Sequence, residues 1–121
     1  MKIEKFEDVE AWIEARELVR AVYRMTGNSR DFGLNDQIRR SAVSIMANIA
    51  EGFDRGYNKE FVRFLNIASA SVSETKSHLY VFLDQNYVKE DEFDAIYGRC
   101  ESVRKLLNGF IRYLRKADHS A

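Results

Sequence analysis

The sequence contains no proline, only six glycines and one cysteine among its 121 residues. Glycine and proline mark the many short turns of β-sandwiches and barrels, so their scarcity argues against those folds and favours long, uninterrupted helices. The single cysteine, Cys100, excludes a disulfide framework within this chain and is typical of a reducing compartment. The composition therefore predicts an all-α protein that is not held together by disulfides.

An excess of charge of one sign is also missing, because 19 basic residues balance 19 acidic ones. Proteins dedicated to nucleic acids usually carry a clear basic excess, so broad electrostatic capture of RNA or DNA is disfavoured. No run approaches the roughly 18 uncharged apolar residues that a membrane-spanning helix needs. Residues 1–8 also lack the apolar segment of a secretory signal. We therefore expect a cytoplasmic protein with no membrane partner.

Hydrophobic residues make up 45% of the sequence, and their spacing indicates four helices with short connections. The predicted helices cover about 8–26, 35–51, 58–85 and 90–116. Asp8 and Asn58 are the expected N-caps, and Gly52 is expected to end the second helix in the left-handed conformation. Because short connections force neighbouring helices to run in opposite directions, we predict an all-α, antiparallel, up-down-up-down four-helix bundle. At this length it is expected to be a single domain, 1–121.

The fourth helix carries the clearest periodic pattern. Its apolar residues are spaced alternately three and four apart, which is the 3.5-residue period of left-handed helix packing. The residues in this pattern are Phe93, Ile96, Cys100, Val103, Leu107, Phe110 and Leu114. A left-handed bundle with these side chains in its core is predicted.

The second helix has more apolar surface than one core face requires. Val43, Ala47 and Ala50 lie well away from the face that holds Ile38, Ala42, Ile45 and Ile49. A narrow polar stripe runs between the two sets, comprising Gln37, Ser41, Ser44, Asn48 and Glu51, with Arg40 at its edge. Two interpretations stay open: the stripe is satisfied inside one chain, or it lies in a contact between subunits, where small residues allow close approach.

The segment 37–52, QIRRSAVSIMANIAEG, resembles the signature of the four-helix-bundle family named for proteins encoded in 23S rRNA intervening sequences. The resemblance continues through 60–68, EFVRFLNIA, and through Ser71 and Glu74. Trp12, Ala15 and the Tyr87-Val88 pair also fit the family pattern. Two departures, Met46 for a common proline and Ala70 for a frequent glycine, should only straighten their helices.

The resemblance implies a homopentamer of four-helix bundles with no known catalytic activity. Our first hypothesis is therefore a non-enzymatic scaffold or adaptor that assembles through helix two and the facing side of helix three. The predicted interface comprises Gln37, Arg40, Ser41, Ser44, Ala47, Asn48, Glu51, Arg63, Ser71 and Glu74. A branch related to the family, the accessory proteins of diversity-generating retroelements, associates with reverse transcriptase and nucleic acid. Those relatives are strongly basic, whereas this chain is neutral.

The alternative hypothesis is an RNA- or DNA-binding accessory protein. Basic residues near the second connection, with one tyrosine for base stacking, would form a patch that a ring repeats by symmetry. The predicted contact residues are Arg39, Arg40, Arg55, Tyr57 and Lys59. The competing interpretation is an ordinary solvated face with glutamates interspersed.

Sites for chemistry are weakly represented. Glu74 and His78 share a helical face, but the only other histidine is His119, and di-iron bundles need two Glu-x-x-His motifs. Cys100 occupies a core position, where burial raises the thiol pKa and suppresses reactivity. We therefore predict no enzyme, no metal, no cofactor and no small-molecule substrate.

Overall fold

Four long helices account for most of the chain. The computed structural model describes residues 3–120, with side chains through residue 117. A 3-10 turn, Phe6–Asp8, precedes α1 (Glu10–Thr26), α2 (Phe32–Asp54), α3 (Asn58–Asp84) and α4 (Glu90–Ser120). Within that described range there is no β-strand. The predicted all-α four-helix bundle is thus confirmed.

Side-chain contacts identify neighbouring helices and their order. Along α2 and α3, Ser41 meets Thr75 whereas the later Ser44 meets the earlier Ser71. Along α3 and α4, Ser69 meets Arg104 whereas Lys76 meets Glu101. Partner positions therefore run in opposite sequence order in both pairs, as antiparallel neighbours require. The left-handed twist of the whole bundle stays a prediction.

The core is a continuous apolar cluster drawn from all four helices. Fully buried side chains from each helix include Leu18, Val22, Ile38, Ile45, Ile49, Leu65, Val72, Leu79, Phe82, Val103 and Leu107. On α4 the predicted core positions hold except at one place, where Ile111 is buried and Phe110 is only partly buried. An α-helix has 3.6 residues per turn, so a strict 3.5-residue pattern drifts out of register by its third heptad.

The helix ends differ from the predicted caps. Val9, not Asp8, is the N-cap of α1, and Tyr57, not Asn58, is the N-cap of α3; neither makes a side-chain capping bond. Helix α2 begins three residues earlier than predicted because the Asp31 carboxylate accepts a hydrogen bond from the Leu34 amide, at 3.2 Å. Helix α4 continues to Ser120 instead of ending near residue 116.

Contrary to the prediction, Gly52 does not end α2; it lies inside the helix, which continues to Asp54. A Cβ atom placed on Gly52 would lie 2.6 Å from the Cβ of Phe64 and 3.0 Å from the Phe61 ring. The absence of a side chain therefore allows α2 and α3 to approach each other closely. The left-handed backbone conformation falls instead on Gly56, with φ +87°, in the turn between these helices.

No helix among the described residues combines the length and the apolar character that crossing a membrane would demand.

Candidate functional site

A line of hydroxyl and amide groups joins α2 to α3, and we call it the polar seam: Ser41, Ser44, Asn48, Ser71 and Thr75. The Thr75 hydroxyl donates to the Ser41 hydroxyl at 2.9 Å, and the Ser71 carbonyl oxygen lies 2.8 Å from the same Thr75 oxygen. The hydroxyls of Ser44 and Ser71 are 3.0 Å apart. The Thr75–Ser41 and Ser44–Ser71 bonds bridge the two helices in a largely buried position.

Asn48 completes the polar seam on the α2 side. Its amide nitrogen donates to the carbonyl oxygen of Ser44 at 2.8 Å and to the Ser44 hydroxyl at 3.0 Å. Four of the predicted interface residues, Ser41, Ser44, Asn48 and Ser71, therefore have hydrogen-bond partners inside the chain. Each of these side chains thus makes at least one hydrogen bond without a second subunit.

The seam borders an exposed surface that we call the outer face of α2 and α3. On it, Ala47 is exposed and Ile67 leaves 39% of its surface in solvent. Val43, also 39% exposed, lies one helical turn from Ala47, on the side of α2 nearer α1. Gln37, Arg40, Glu51, Arg63 and Glu74 from the predicted interface are also exposed here or at its edges. Ile67 was missed by sequence reasoning, although an apolar residue off the core face of α3 was the available signal.

Most arginines near this surface already have partners. Arg40 pairs with Asp36 at 2.8 Å, Arg55 pairs with Glu51 at 3.1 Å, and the two members of each pair lie one turn apart. Arg39 instead faces α1, where its guanidinium donates to the Thr26 hydroxyl at 2.8 Å and lies 4.6 Å from the Tyr23 ring centre. Arg40 and Arg55 are separated by about 22 Å along α2, at 1.5 Å per residue.

At the other end of α2, two guanidinium groups pack on one aromatic ring. Arg55 and Arg63 lie 4.9 Å and 4.6 Å from the ring centre of Phe64. Arg63 also binds Glu60 at 3.0 Å, and this hydrogen bond holds the pKa of the Glu60 carboxyl below its ordinary value. The predicted nucleic-acid patch is therefore not one cluster: Arg55, Tyr57 and Lys59 lie at this end, whereas Arg39 and Arg40 lie far from it.

Comparisons with known proteins agree with this architecture. The family model for the 23S rRNA-intervening sequence protein matches residues 7–109. This chain belongs to that family. A solved structure from Bacteroides thetaiotaomicron, described as a protein with unknown function from the S23 ribosomal protein family, is similar with a TM-score of 0.77 and 26% identity. The similarity covers 84% of this chain and 97% of that one. No curated protein matches the sequence.

In this member of the 23S rRNA-intervening sequence family, the groups considered for chemistry are Glu74, His78 and Cys100. His78 lies 3.6 Å from Glu74, but no group of three or more potential metal ligands exists among the residues with described side chains. The side chain of His119 is outside those residues. Cys100 is fully buried, and burial raises the pKa of its thiol to about 11, so the thiolate nucleophile is disfavoured.

The polar seam of this family member should contribute measurably to stability. Replacing Thr75 with valine keeps the side-chain shape but removes the hydroxyl bonded to Ser41, and we expect the free energy of unfolding to fall by about 1–3 kcal/mol. Urea denaturation of both proteins measures the change. Ser102→Ala is the control, because the exposed Ser102 hydroxyl bonds only the Gly98 carbonyl of its own helix. A Thr75→Val protein as stable as the parent would contradict a structural role for the seam.

Proposed function

We propose that this chain is a cytoplasmic, non-enzymatic scaffold or adaptor that assembles with copies of itself through the outer face of α2 and α3. The observation that supports this most directly is the exposure of Ala47 and Ile67, with Val43 one turn from Ala47, beside a polar seam whose side chains have partners inside the chain. An apolar patch with few charges is typical of the centre of an interface between subunits. The family resemblance favours a closed ring of five chains.

The charges around the outer face fit the rim of such a contact. Arg40 with Asp36 and Arg63 with Glu60 form solvent-exposed pairs. Exposed pairs of this kind contribute little to stability, so their conformations can change at low cost when a second subunit arrives. A polar rim around an apolar centre is the usual arrangement of a specific interface.

Ala47→Glu tests the proposal. Native protein at micromolar concentration is expected to have a solution mass of about five times the 14.1 kDa chain mass. Ala47→Glu should reduce the mass to that of one chain, because a carboxylate would be buried in the contact without a partner. Light scattering coupled to size exclusion measures both masses.

Ala95→Glu provides the matched control, since Ala95 is exposed on α4, away from the outer face. It should leave the assembly intact. A monomeric native protein, or an Ala47→Glu assembly of unchanged mass, would contradict the proposed contact. A salt-sensitive gel shift of RNA or DNA by the native protein would instead support the accessory role in nucleic-acid binding.

A further inference from the structure

An open groove separates α1 from α4, on the side of the bundle opposite the outer face. Its central cavity, about 320 Å³, is lined by Val9 and Ala11 on one side and by Leu106, Phe110 and Tyr113 of α4 on the other. Leu106 is shared with a neighbouring cavity of about 470 Å³, and Phe110 and Tyr113 with another of about 370 Å³. Because each neighbouring cavity shares these lining residues with the central one, we treat the three together as the α1–α4 groove; its third cavity lies between α4 and the turn that joins α2 to α3.

Val9 and Ala11 are almost fully buried, so the accessible apolar surface of the α1–α4 groove comes mainly from its other lining residues. Ile13 at one end leaves 44% of its surface in solvent, Tyr113 leaves 55%, and Tyr57 at the far end leaves 61%. Exposed apolar groups that line a concave surface mark binding sites more often than isolated exposed residues do. The groove therefore has the character of a docking surface.

The length of the groove fits a helix of about three turns. On α4 the lining extends from Ser102 to Leu114, about 18 Å at 1.5 Å per residue. Gly109 lies in this stretch, and a Cβ placed on it would meet only the Arg112 guanidinium, 4.0 Å away. The wall of the groove is therefore open at Gly109, where a docked backbone could approach α4.

The edge of the groove formed by α1 and the turn before it is acidic. It carries Asp8, Glu10 and Glu14, and none of these carboxylates has an ion-pair partner within 4.0 Å among residues 3–117. Lys105 is the cation that lines the opposite edge. A partner with basic residues along one side would complement this excess of negative charge.

We propose that the α1–α4 groove binds an amphipathic helix of a partner protein, with its apolar face in the groove and its basic edge along α1. Helix-in-groove recognition of this kind uses apolar anchors at positions i, i+3 or i+4, and i+7. This inference rests on the proposed function in one respect: it names the class of partner that the scaffold or adaptor would bind. Because solution mass tests the contact between copies and peptide binding tests the groove, a failure of either proposal is distinguishable from a failure of the other.

The test uses fluorescein-labelled synthetic peptides of about 14 residues, a length that provides three to four helical turns. One series carries leucine anchors and one carries phenylalanine anchors, each with lysines along one edge, and scrambled peptides of the same composition serve as controls. Fluorescence anisotropy with the full chain measures binding. We expect the amphipathic peptides to bind at least tenfold more tightly than the scrambled ones.

Gly109→Leu should fill the open part of the groove and weaken peptide binding at least tenfold. Gly98→Leu is the matched control: it makes the same change on α4 where no atom lies within 4 Å of the added Cβ. Equal melting temperatures of the two variants verify folding. If Gly109→Leu proves unstable, the double charge reversal Glu10→Lys with Glu14→Lys provides the second test. It should weaken the binding of peptides with lysines along one edge and strengthen the binding of peptides with glutamates there.

Three results would overturn the proposal. The first is no binding by either peptide series, and the second is equal binding by amphipathic and scrambled peptides. The third is a Gly109→Leu protein that changes solution mass, because the groove would then be a contact between copies of this chain. A monomeric native protein that binds the amphipathic peptides would support the groove while contradicting the proposed ring.

Discussion

Phe82→Ala is expected to lower the free energy of unfolding by about 3–5 kcal/mol, the range for truncating a fully buried aromatic side chain. Phe82 has no solvent-exposed surface, and its ring lies 6.0 Å from the Tyr87 ring in an edge-on arrangement. Tyr87 in turn donates its hydroxyl to Asp31, the N-cap of α2, at 3.2 Å. The truncation would therefore leave a cavity and remove support from the turn that contacts the start of α2.

Chemical denaturation followed by circular dichroism measures this loss, and Phe32→Ala is the control. Phe32 is 75% exposed in the first turn of α2, so its truncation should change stability by no more than about 0.5 kcal/mol. Small domains have only about 5–15 kcal/mol of stability in total, so the Phe82 variant should be close to unfolding. If Phe82→Ala lowered the free energy of unfolding as little as the control does, the expected cavity would not form, because the core would have collapsed around the missing ring.

Gly52→Ala is expected to destabilise the protein by about 1–3 kcal/mol through overpacking. The sign is informative, because alanine in an ordinary helix position would stabilise it by up to about 1 kcal/mol relative to glycine. The added methyl group would lie 2.6 Å from the Cβ of Phe64, an atom fixed to the backbone of α3. Relief therefore requires the two helices to move apart, not the rotation of a flexible side chain.

Gly98→Ala isolates the contribution of helix propensity. Gly98 is a helical glycine of α4 with nothing within 4 Å of an added Cβ, so the same substitution should raise stability by about 0.5–1 kcal/mol. Thermal unfolding of both variants at one protein concentration makes the comparison, because assembly would make the midpoint concentration-dependent. Stabilisation by Gly52→Ala would contradict the close helix approach.

Local pattern was sufficient to predict the four helices. Amphipathic periodicity and the lack of proline act within each segment, so their effect does not depend on the rest of the chain. Ends were less predictable: Asp8 and Asn58 have the right chemistry for caps, yet Val9 and Tyr57 occupy the cap positions. Side-chain capping contributes only about 1 kcal/mol, so tertiary packing can override it.

For the predicted interface, residue type alone could not tell whether the polar stripe of α2 contacts another subunit or another helix of the same chain. Ser41, Ser44 and Asn48 form the same stripe whether they face another subunit or another helix of their own chain. Their intrachain partners include Ser71 and Thr75, which lie about thirty residues away along the chain. Only the placement of α3 against α2 could distinguish the two arrangements, because a stripe on one helix does not specify what packs on it.

By itself the sequence determined an all-α chain of four amphipathic helices and its membership of the 23S rRNA-intervening sequence family, since periodicity and motif are properties of contiguous residues. Tertiary structure alone decided that Gly52 is a contact position and that Ile111 replaces Phe110 in the core. It also decided that Tyr113 and Ile13 line one groove. These outcomes depend on distances between segments remote in sequence, which the packing of whole helices sets.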